Sequence, residues 1–386
     1  MDLEFDEATE SFRTEVADFL TKNVPAQSLP SMDTAEGFEA HREWERTLAD
    51  ARLSVVSWPK ELGGRDASLL EWVIFEEEYY RSGAPGRVSQ NGIFLLAPTL
   101  FEHANQQQLD RIMPRMARAD DIWAQAWSEP ESGSDLASLR SSAKRVDGGW
   151  VLNGQKTWSS RASFADWGFG LFRTDPEAQR HKGITYFMFD LKSEGITIRP
   201  IDQLDGEPGF AEIFLENVFV PDDPAEPGSS GVIGAVDQGW RVAMSTASNE
   251  RGLSLRSPGR FLATVDRLVS LYEKSGRTDD AALGDRLADA WIGARAYQLN
   301  TFGTVTRLAD GGQLGAESSI NKVFWSEWDI ATHETALELQ GPEAELADPW
   351  TDGYLFSLSG PIYAGTNEIQ KNVIAERLLG LPKADR

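Results

Sequence analysis

The spacing of apolar residues changes twice along these 386 residues, and one uniform layer of helices or strands cannot accommodate both patterns. Phe5, Phe12, Val16, Phe19 and Leu20 fall on one helical face. Similar stretches recur to about residue 120, punctuated by VSWPKELGG and RSGAPGR. From about 121 to 235 the chain turns to short segments rich in Val, Ile, Thr, Phe and Trp, among them GITYFMFDL and AEIFLENVFVP. Asp147-Gly148 and Asn153-Gly154 stand there where tight hairpin turns are expected. Beyond GWRVAMSTASNERGLSL the helical spacing returns, through LADAWIGARAYQLNTF and SINKVFWSEWDIATHETALEL to NEIQKNVIAERLLG. With no long linker and no internal repeat, this order predicts an α+β chain of three blocks: residues 1–120 helical, 121–235 β, and 236–386 helical.

Composition removes several functions. A formal net charge of −24 argues against a nucleic-acid or anionic-membrane surface as the main partner, since either calls for a basic face. Without cysteine there is no disulfide, thiolate nucleophile or cysteine-ligated metal. His41, His103, His181 and His333 lie too far apart for a local metal motif, so no metal is expected. The start, MDLEFDEATESF, lacks the basic and apolar regions of a signal peptide, and no apolar run approaches about 18 residues. A cytoplasmic protein is expected.

The chemistry-bearing segments are polar and glycine-containing. QAWSEPESGSD, 125–135, offers the hydroxyls of Ser128, Ser132 and Ser134 and an accessible backbone at Gly133. Trp127 and, in NGQKTWSS (153–160), Trp158 could supply flat apolar surface to an aromatic ring. No GxGxxG joins a strand to a helix, and GSSGVIG at 228–234 has the wrong spacing for a dinucleotide fold. SGPIYAGTNEIQ, 359–370, breaks the last helical stretch; its glycines let backbone N–H groups approach a ligand, and Thr366 or Asn367 can cap the helix that follows. Each segment, read locally, is also an ordinary turn.

In order, WPKELGG (58–64), SEPESGSD, NGQKTWSS, NERG (249–252), ELQGPEA (338–344) and GPIYAGTNEIQ resemble the acyl-CoA dehydrogenase family, flavoproteins that introduce an α,β double bond into acyl thioesters. The resemblance spans nearly the whole chain. It implies an N-terminal helical domain, a middle β-barrel-like domain and a C-terminal four-helix bundle, with FAD as cofactor, acyl-CoA as substrate and electron-transfer flavoprotein as acceptor, in lipid β-oxidation. By position it places Gln125, Ala126, Trp127 and Ser128 along the flavin ring, and Gly133 and Ser134 near the pyrophosphate and the substrate thioester. Trp158, Ser159 and Ser160 lie against the flavin, Ser160 near its N5. Gln340 and Gly341 reach the FAD of a neighbouring subunit, and Thr366, Asn367 and Glu368 meet its adenosine diphosphate portion.

Two departures from the family pattern carry information. Many members have Tyr-Glu-Gly-Thr in the last loop, where the glutamate removes the α-proton; here the sequence is Tyr363-Ala364-Gly365-Thr366. Alanine cannot accept a proton, so the resemblance shifts the base to Glu250, which precedes Arg251 as in members acting on branched or long chains. Ala364 and Gly365, with Ser134 and Arg251, are then expected against the substrate, the Ala364 N–H serving as half of the site for the carbonyl oxygen. An R-x-x-F-G stretch that binds a neighbour's pyrophosphate is replaced by EKSGRTDDAALGDR (273–286), in which Arg277 stands beside acidic residues. This resembles members that assemble as α2β2 heterotetramers, although a homotetramer, a flavin oxidase of the same fold and a non-catalytic partner chain stay open. Loss of the loop carboxylate leads us to expect a branched, cyclic or steroid-side-chain acyl group.

Overall fold

A computed structural model describes residues 5–223, 227–251, 257–312 and 314–383, without the side chains of 227 and 248–251. Five helices come first: α1 (Glu7–Asn23), α2 (Ala35–Asp50), α3 (Leu69–Arg81), α4 (Ala97–His103) and α5 (Gln106–Ala117). The strands follow: β1 (Trp123–Ala126), β2 (Ser142–Val146), β3 (Gly149–Ser160), β4 (Trp167–Arg173), β5 (Ile184–Asp190), β6 (Ile196–Ile201), β7 (Phe210–Pro221) and β8 (Val232–Ile233). The chain ends in α6 (Gly239–Arg251), α7 (Pro258–Lys274), α8 (Ala281–Ala309), α9 (Ser318–Gln340), α10 (Pro349–Ser357) and α11 (Asn367–Val373). They fall into two compact units, one of residues 27–66 and 85–250, the other of 1–26, 67–84 and 251–386.

In the first unit the described strands form one sheet ordered β6-β7-β3-β2-β4-β5-β8, with β1 added in parallel against β4. Its core includes Trp150, Leu152, Phe172, Phe187, Phe189, Ile213, Leu215 and Val218. α2 begins at Thr34, whose side chain accepts from the Gly37 N–H, and buries Phe38, His41, Trp44, Glu45 and Leu48 at helical spacing. α5 is tied to β8 by one side chain: buried Gln108 donates to the carbonyls of Ser230 (3.0 Å) and Val232 (2.9 Å).

Asp147 and Gly148 make the turn between β2 and β3, Gly148 with φ +72°. The turn expected at Asn153-Gly154 does not exist. Both residues lie inside β3, where the register against β7 shifts between Leu152 and Gly154. The sequence pair supplies the same property for a different purpose: Gly154 takes φ +149°, and a Cβ there would sit 2.2 Å from the Ser141 Oγ. The Asn153 side-chain oxygen accepts from the Asn217 N–H at 2.9 Å across the bulge.

In the second unit α7, α8 and α9 pack on one another around Phe261, Val265, Leu268, Leu283, Ala294, Tyr297, Trp325 and Leu339. The remaining place in the bundle is divided between α10 and α11, both on α9, with the 358–366 turn between them. α1 and α3 belong to the same unit; α3 starts in a capping box in which the Ser68 hydroxyl takes the Glu71 N–H and the Glu71 carboxylate takes the Ser68 N–H.

The polar centre of the sheet unit is Lys156, fully buried on β3, with its ammonium 2.8 Å from Glu129 Oε1 and 2.8 Å from the Leu171 carbonyl. Glu129→Gln should lower stability by about 3–5 kcal/mol, because it strands a buried charge. Replacing both residues by methionine should recover most of that loss in thermal unfolding. Burial alone would raise the Glu129 carboxyl, but Lys156 and the hydrogen bonds it receives hold it below the ordinary carboxylate value. Its contribution is therefore complete above the unfolded range near about 4 and lost as pH falls through the folded value. Acid should bring the unfolding midpoints of native protein and Glu129→Gln together.

Candidate active site

Strand β1 delivers Gln125 and Ala126 to the sheet end. Ala126 is fully buried and faces Gly170, where a Cβ would lie 2.3 Å from the Ala126 carbonyl oxygen, so this position offers backbone rather than side chain. Trp127 and Ser128 follow, half-buried. The chain then doubles back: Glu129 and Ser132 exchange backbone hydrogen bonds at 2.9 and 3.0 Å. The Glu129 carboxylate accepts from the N–H groups of Arg140 (2.6 Å) and Ser141 (2.9 Å) as well as from Lys156. Burial pushes the Lys156 ammonium down from its ordinary value against the pull of Glu129. With its base fixed this way, the loop presents Gly133 and Ser134 to solvent, and nothing lies within 4 Å of where a Gly133 Cβ would be.

Two residues beyond Lys156, β3 bulges against β7, the register shifting between Lys156 and Ser159. Trp158 occupies the bulge in the left-handed region, φ +60°, and its indole is 59% exposed. A bulky residue rarely adopts that conformation, and strain of this kind gathers at binding sites. The ring rests edge-on against Phe210, 6.0 Å between centroids. Ser159 is fully buried with no hydrogen-bond partner for its Oγ, and Ser160, half-buried, pairs with Phe210 in the ladder. The Thr157 N–H donates to the Ser128 carbonyl at 2.9 Å, so the 125–128 and 158–160 stretches are parts of one surface.

Helix α6 is docked by hydroxyls. Thr246 Oγ1 lies 2.8 Å from Thr99 Oγ1 on α4 and 3.2 Å from the Tyr186 hydroxyl on β5, all three buried. Tyr186 in turn meets Trp127 edge-on at 6.1 Å. Glu250 lies one helical turn beyond Thr246 on the α6 backbone; its side chain and that of Arg251 lie outside the described residues. Sequence reasoning missed Thr246 and Tyr186. The threonine four residues before the glutamate was the available signal, since that spacing shares a helix face.

In the helical unit the 358–366 turn is shaped by two successive left-handed residues, Ala364 at φ +56° and Gly365 at φ +79°. Thr366 caps α11, its hydroxyl accepting from the Ile369 N–H at 3.2 Å. Asn367 points inward and is buried: its side-chain oxygen accepts from Lys322 (2.9 Å) and Ser326 (3.1 Å) on α9. Glu368 is exposed, its carboxyl held below the ordinary value by its own backbone N–H and the Thr366 hydroxyl. Gln340 is tied to Asp348, the cap of α10, while Gly341 at φ +60° has open space where a Cβ would go. Arg277 is consumed within its own unit, donating to the Glu338 carbonyl (2.9 Å) and to Asp280 (2.8 Å). Among the described residues no group of His, Asp and Glu is placed to hold a metal ion, and no helix is long and apolar enough to cross a membrane.

Sequence profiles of the acyl-CoA dehydrogenase family match the chain in three pieces: the N-terminal domain over residues 6–120, the middle domain over 124–218 and the C-terminal domain over 237–379. The acyl-CoA dehydrogenase IpdE1 of Mycobacterium tuberculosis is 37% identical over 387 residues, covering 97% of this chain and 98% of that protein. Among solved structures, the ChsE4-ChsE5 complex from Mycobacterium tuberculosis matches with a TM-score of 0.82 and 26% identity over 100% of both chains. The Tcur3481-Tcur3483 steroid ACAD matches with a TM-score of 0.86 and 24% identity, again over 100% of both, which shows a shared fold.

The left-handed conformation of Ala364 costs about 1–2 kcal/mol relative to glycine, more than the ~0.4–1 kcal/mol that a glycine's extra freedom in the unfolded chain takes back. Ala364→Gly should therefore raise stability slightly, by about 0.5–1 kcal/mol, read as a higher denaturation midpoint. A drop would show that the Ala364 methyl makes contacts worth more than its strain.

Proposed function

The chain belongs to the acyl-CoA dehydrogenase family and uses FAD, and from that premise we propose that Glu250 is the base that removes the substrate α-proton. FAD supplies the acceptor for the hydride that leaves the β-carbon. The observation that carries the assignment is Ala364: the loop that bears a glutamate in many members bears a methyl group here. A proton must still leave a weakly acidic carbon. That requires a carboxylate near the substrate, with donors for the charge developing on the carbonyl oxygen. Helix α6, which carries Glu250, is anchored one turn earlier by the Thr99–Thr246–Tyr186 hydroxyl chain. A base on such a helix has little positional freedom.

The residues present fit FAD. The exposed Trp158 offers a flat face, while the Trp127 Nε1 and Ser159 Oγ are buried polar atoms without partners among the described residues. Gly133 leaves its backbone open to a phosphate. We assign Gln125, Ala126, Trp127, Ser128, Trp158, Ser159 and Ser160 to the ring, Gly133 and Ser134 to the pyrophosphate and thioester, and Thr366 and Glu368 to the adenosine diphosphate end. The inward-facing Asn367 acts there by fixing the α11 start. Gln340 and Gly341 are assigned to a neighbouring subunit's FAD, and Ala364, Gly365 and Arg251 to the substrate. Electron-transfer flavoprotein is the proposed acceptor, in the cytoplasm.

A homologous partner chain completes the assembly. Arg277 is already committed to Glu338 and Asp280, which leaves it unsuited to a neighbour's pyrophosphate. The ChsE4-ChsE5 complex is a two-chain relative of this kind. Purified alone, the chain should hold well under one FAD per chain, and co-expression with the partner should restore full occupancy; a fully loaded homotetramer would refute this. The space left by the missing loop carboxylate favours a branched, cyclic or steroid-side-chain acyl group. In a dye-reduction screen such thioesters should give a higher kcat/KM than butyryl-CoA, and the reverse order would overturn the assignment.

Glu250→Gln should keep fold and flavin content yet slow substrate reduction of the flavin by at least about a hundredfold. Adding Ala364→Glu in that background should recover part of the rate, because it restores the loop carboxylate that many members of the family use as the base. Ala364→Glu alone should not help, since two carboxylates at one carbon repel and raise each other's pKa. Stopped-flow bleaching at matched flavin content measures all three. An unchanged rate in Glu250→Gln would favour a non-catalytic partner subunit, and peroxide formation in place of dye reduction would indicate an oxidase.

A further inference from the structure

We propose that Gln370 is the positioning residue of the catalytic-loop turn: from α11 it holds Ala364 and Gly365 in consecutive left-handed conformations and so sets the direction of the Ala364 N–H. The second half of the statement rests on the reading that this N–H meets the substrate carbonyl.

Four observations converge on it. The Gln370 side chain is fully buried, and its Nε2 donates to the Ala364 carbonyl at 3.0 Å and to the Gly365 carbonyl at 3.3 Å. One amide group thus fixes two successive peptide planes, and with them the torsions that decide where the preceding N–H points. The contact is close: a Cβ on Gly365 would lie 2.5 Å from Nε2, so a side chain there would have to displace the Gln370 amide and would be strained at φ +79°. Among the described residues the buried Gln370 Oε1 has no hydrogen-bond partner, and the bonds to the turn come from its donor end. That orientation follows from chemistry, because two carbonyl oxygens demand donors.

The base from which Gln370 reaches is itself fixed. Its own N–H donates to the Thr366 carbonyl at 2.9 Å, the Asn367 N–H donates to the Pro361 carbonyl at 2.8 Å, and the Asn367 side chain is locked to Lys322 and Ser326. The turn is therefore closed by three bonds from α11: to Pro361 at its start, and to Ala364 and Gly365 at its strained centre. Tyr363, immediately before Ala364, packs against Trp325 and Phe356 with centroids 5.8 and 6.1 Å apart. With Tyr363 held on that side and Gln370 on the other, Ala364 has little room to rotate.

Gln370→Met keeps the volume and removes both donors. In the flavin-loaded protein, with its partner chain if one is needed, amide exchange in segment 359–366 should accelerate about tenfold or more. The kcat should fall by about ten- to a hundredfold with KM nearly unchanged, as expected when a transition-state donor is misplaced by a fraction of an ångström. Gln370→Glu separates positioning from general damage. A carboxylate facing two carbonyls repels them, and only its protonated form donates, so its kcat should recover as pH is lowered, relative to the native protein. Among the described residues the charged groups around α11 include Lys322 and Glu327 on α9 and, on α11 itself, Glu368 and Lys371, the latter 3.4 Å from Glu327; Gln370→Met carries the same set and corrects for their titration. Unchanged exchange in Gln370→Met, an unchanged kcat in an active enzyme, or a Gln370→Glu pH profile parallel to that of Gln370→Met would each overturn the proposal. If no acyl-CoA reduces the native flavin while exchange still accelerates in Gln370→Met, the hold on the turn stands and the dehydrogenase role of this loop falls.

Discussion

The Lys156–Glu129 pair is the constraint from which the candidate site surface of the sheet unit follows. A fully buried ammonium is tolerated only where its charge is met, and here Glu129, the Leu171 carbonyl and, at 3.4 Å, the Trp127 carbonyl surround it. A Phe172 ring lies 4.8 Å from the same nitrogen. These bonds join β3, β4 and the segment after β1 at one point. The carboxylate then reaches the far end of the serine-rich loop through the Arg140 and Ser141 N–H groups. Both ends of that loop are tied to one charge. Trp158, two residues from the lysine, inherits its position from the same anchor, because the bulge begins where the lysine is fixed.

In the helical unit the strained turn is held by hydrogen bonds from neutral amides. Its strained residues are Ala364 and Gly365, and neutral amides hold them: Gln370 from α11, with Asn367 linking α11 to Lys322 on α9. Splitting the last helical stretch into α10 and α11 frees backbone donors and acceptors between them, and the two Gln370 bonds satisfy the Ala364 and Gly365 carbonyls among those groups. The break that disrupts helical periodicity is thus the same device that exposes main-chain groups between the two helices.

Much of this was legible in the sequence. Helical spacing, the Asp147-Gly148 turn and the Thr366 cap are local: each depends on residues within a few positions, so composition at those positions suffices. Asn153-Gly154 shows the limit. The pair encodes a positive φ at Gly154, but whether that φ closes a turn or a bulge depends on Ser141 and Asn217, which arrive from other strands. Lys156 and Gln370 were hidden for the same reason. A lysine in a strand and a glutamine in a helix read as solvent-facing, and only the distant Glu129 or the backbone of Ala364 turns them inward. Ala364 was recognised by what it lacks; that it stands in a left-handed conformation is a property of the folded turn.

An indole held outward on a stiff bulge has a consequence for the time before any flavin arrives. If Trp158 receives the flavin ring as proposed, that surface is already arranged, and the entropy of arranging it is spent during folding rather than at capture. The same outward placement leaves a broad apolar face at the surface of the described chain. On the proposed assignment, a bound flavin would cover that face, so the loaded protein would present less apolar surface to other chains than the same chain without it.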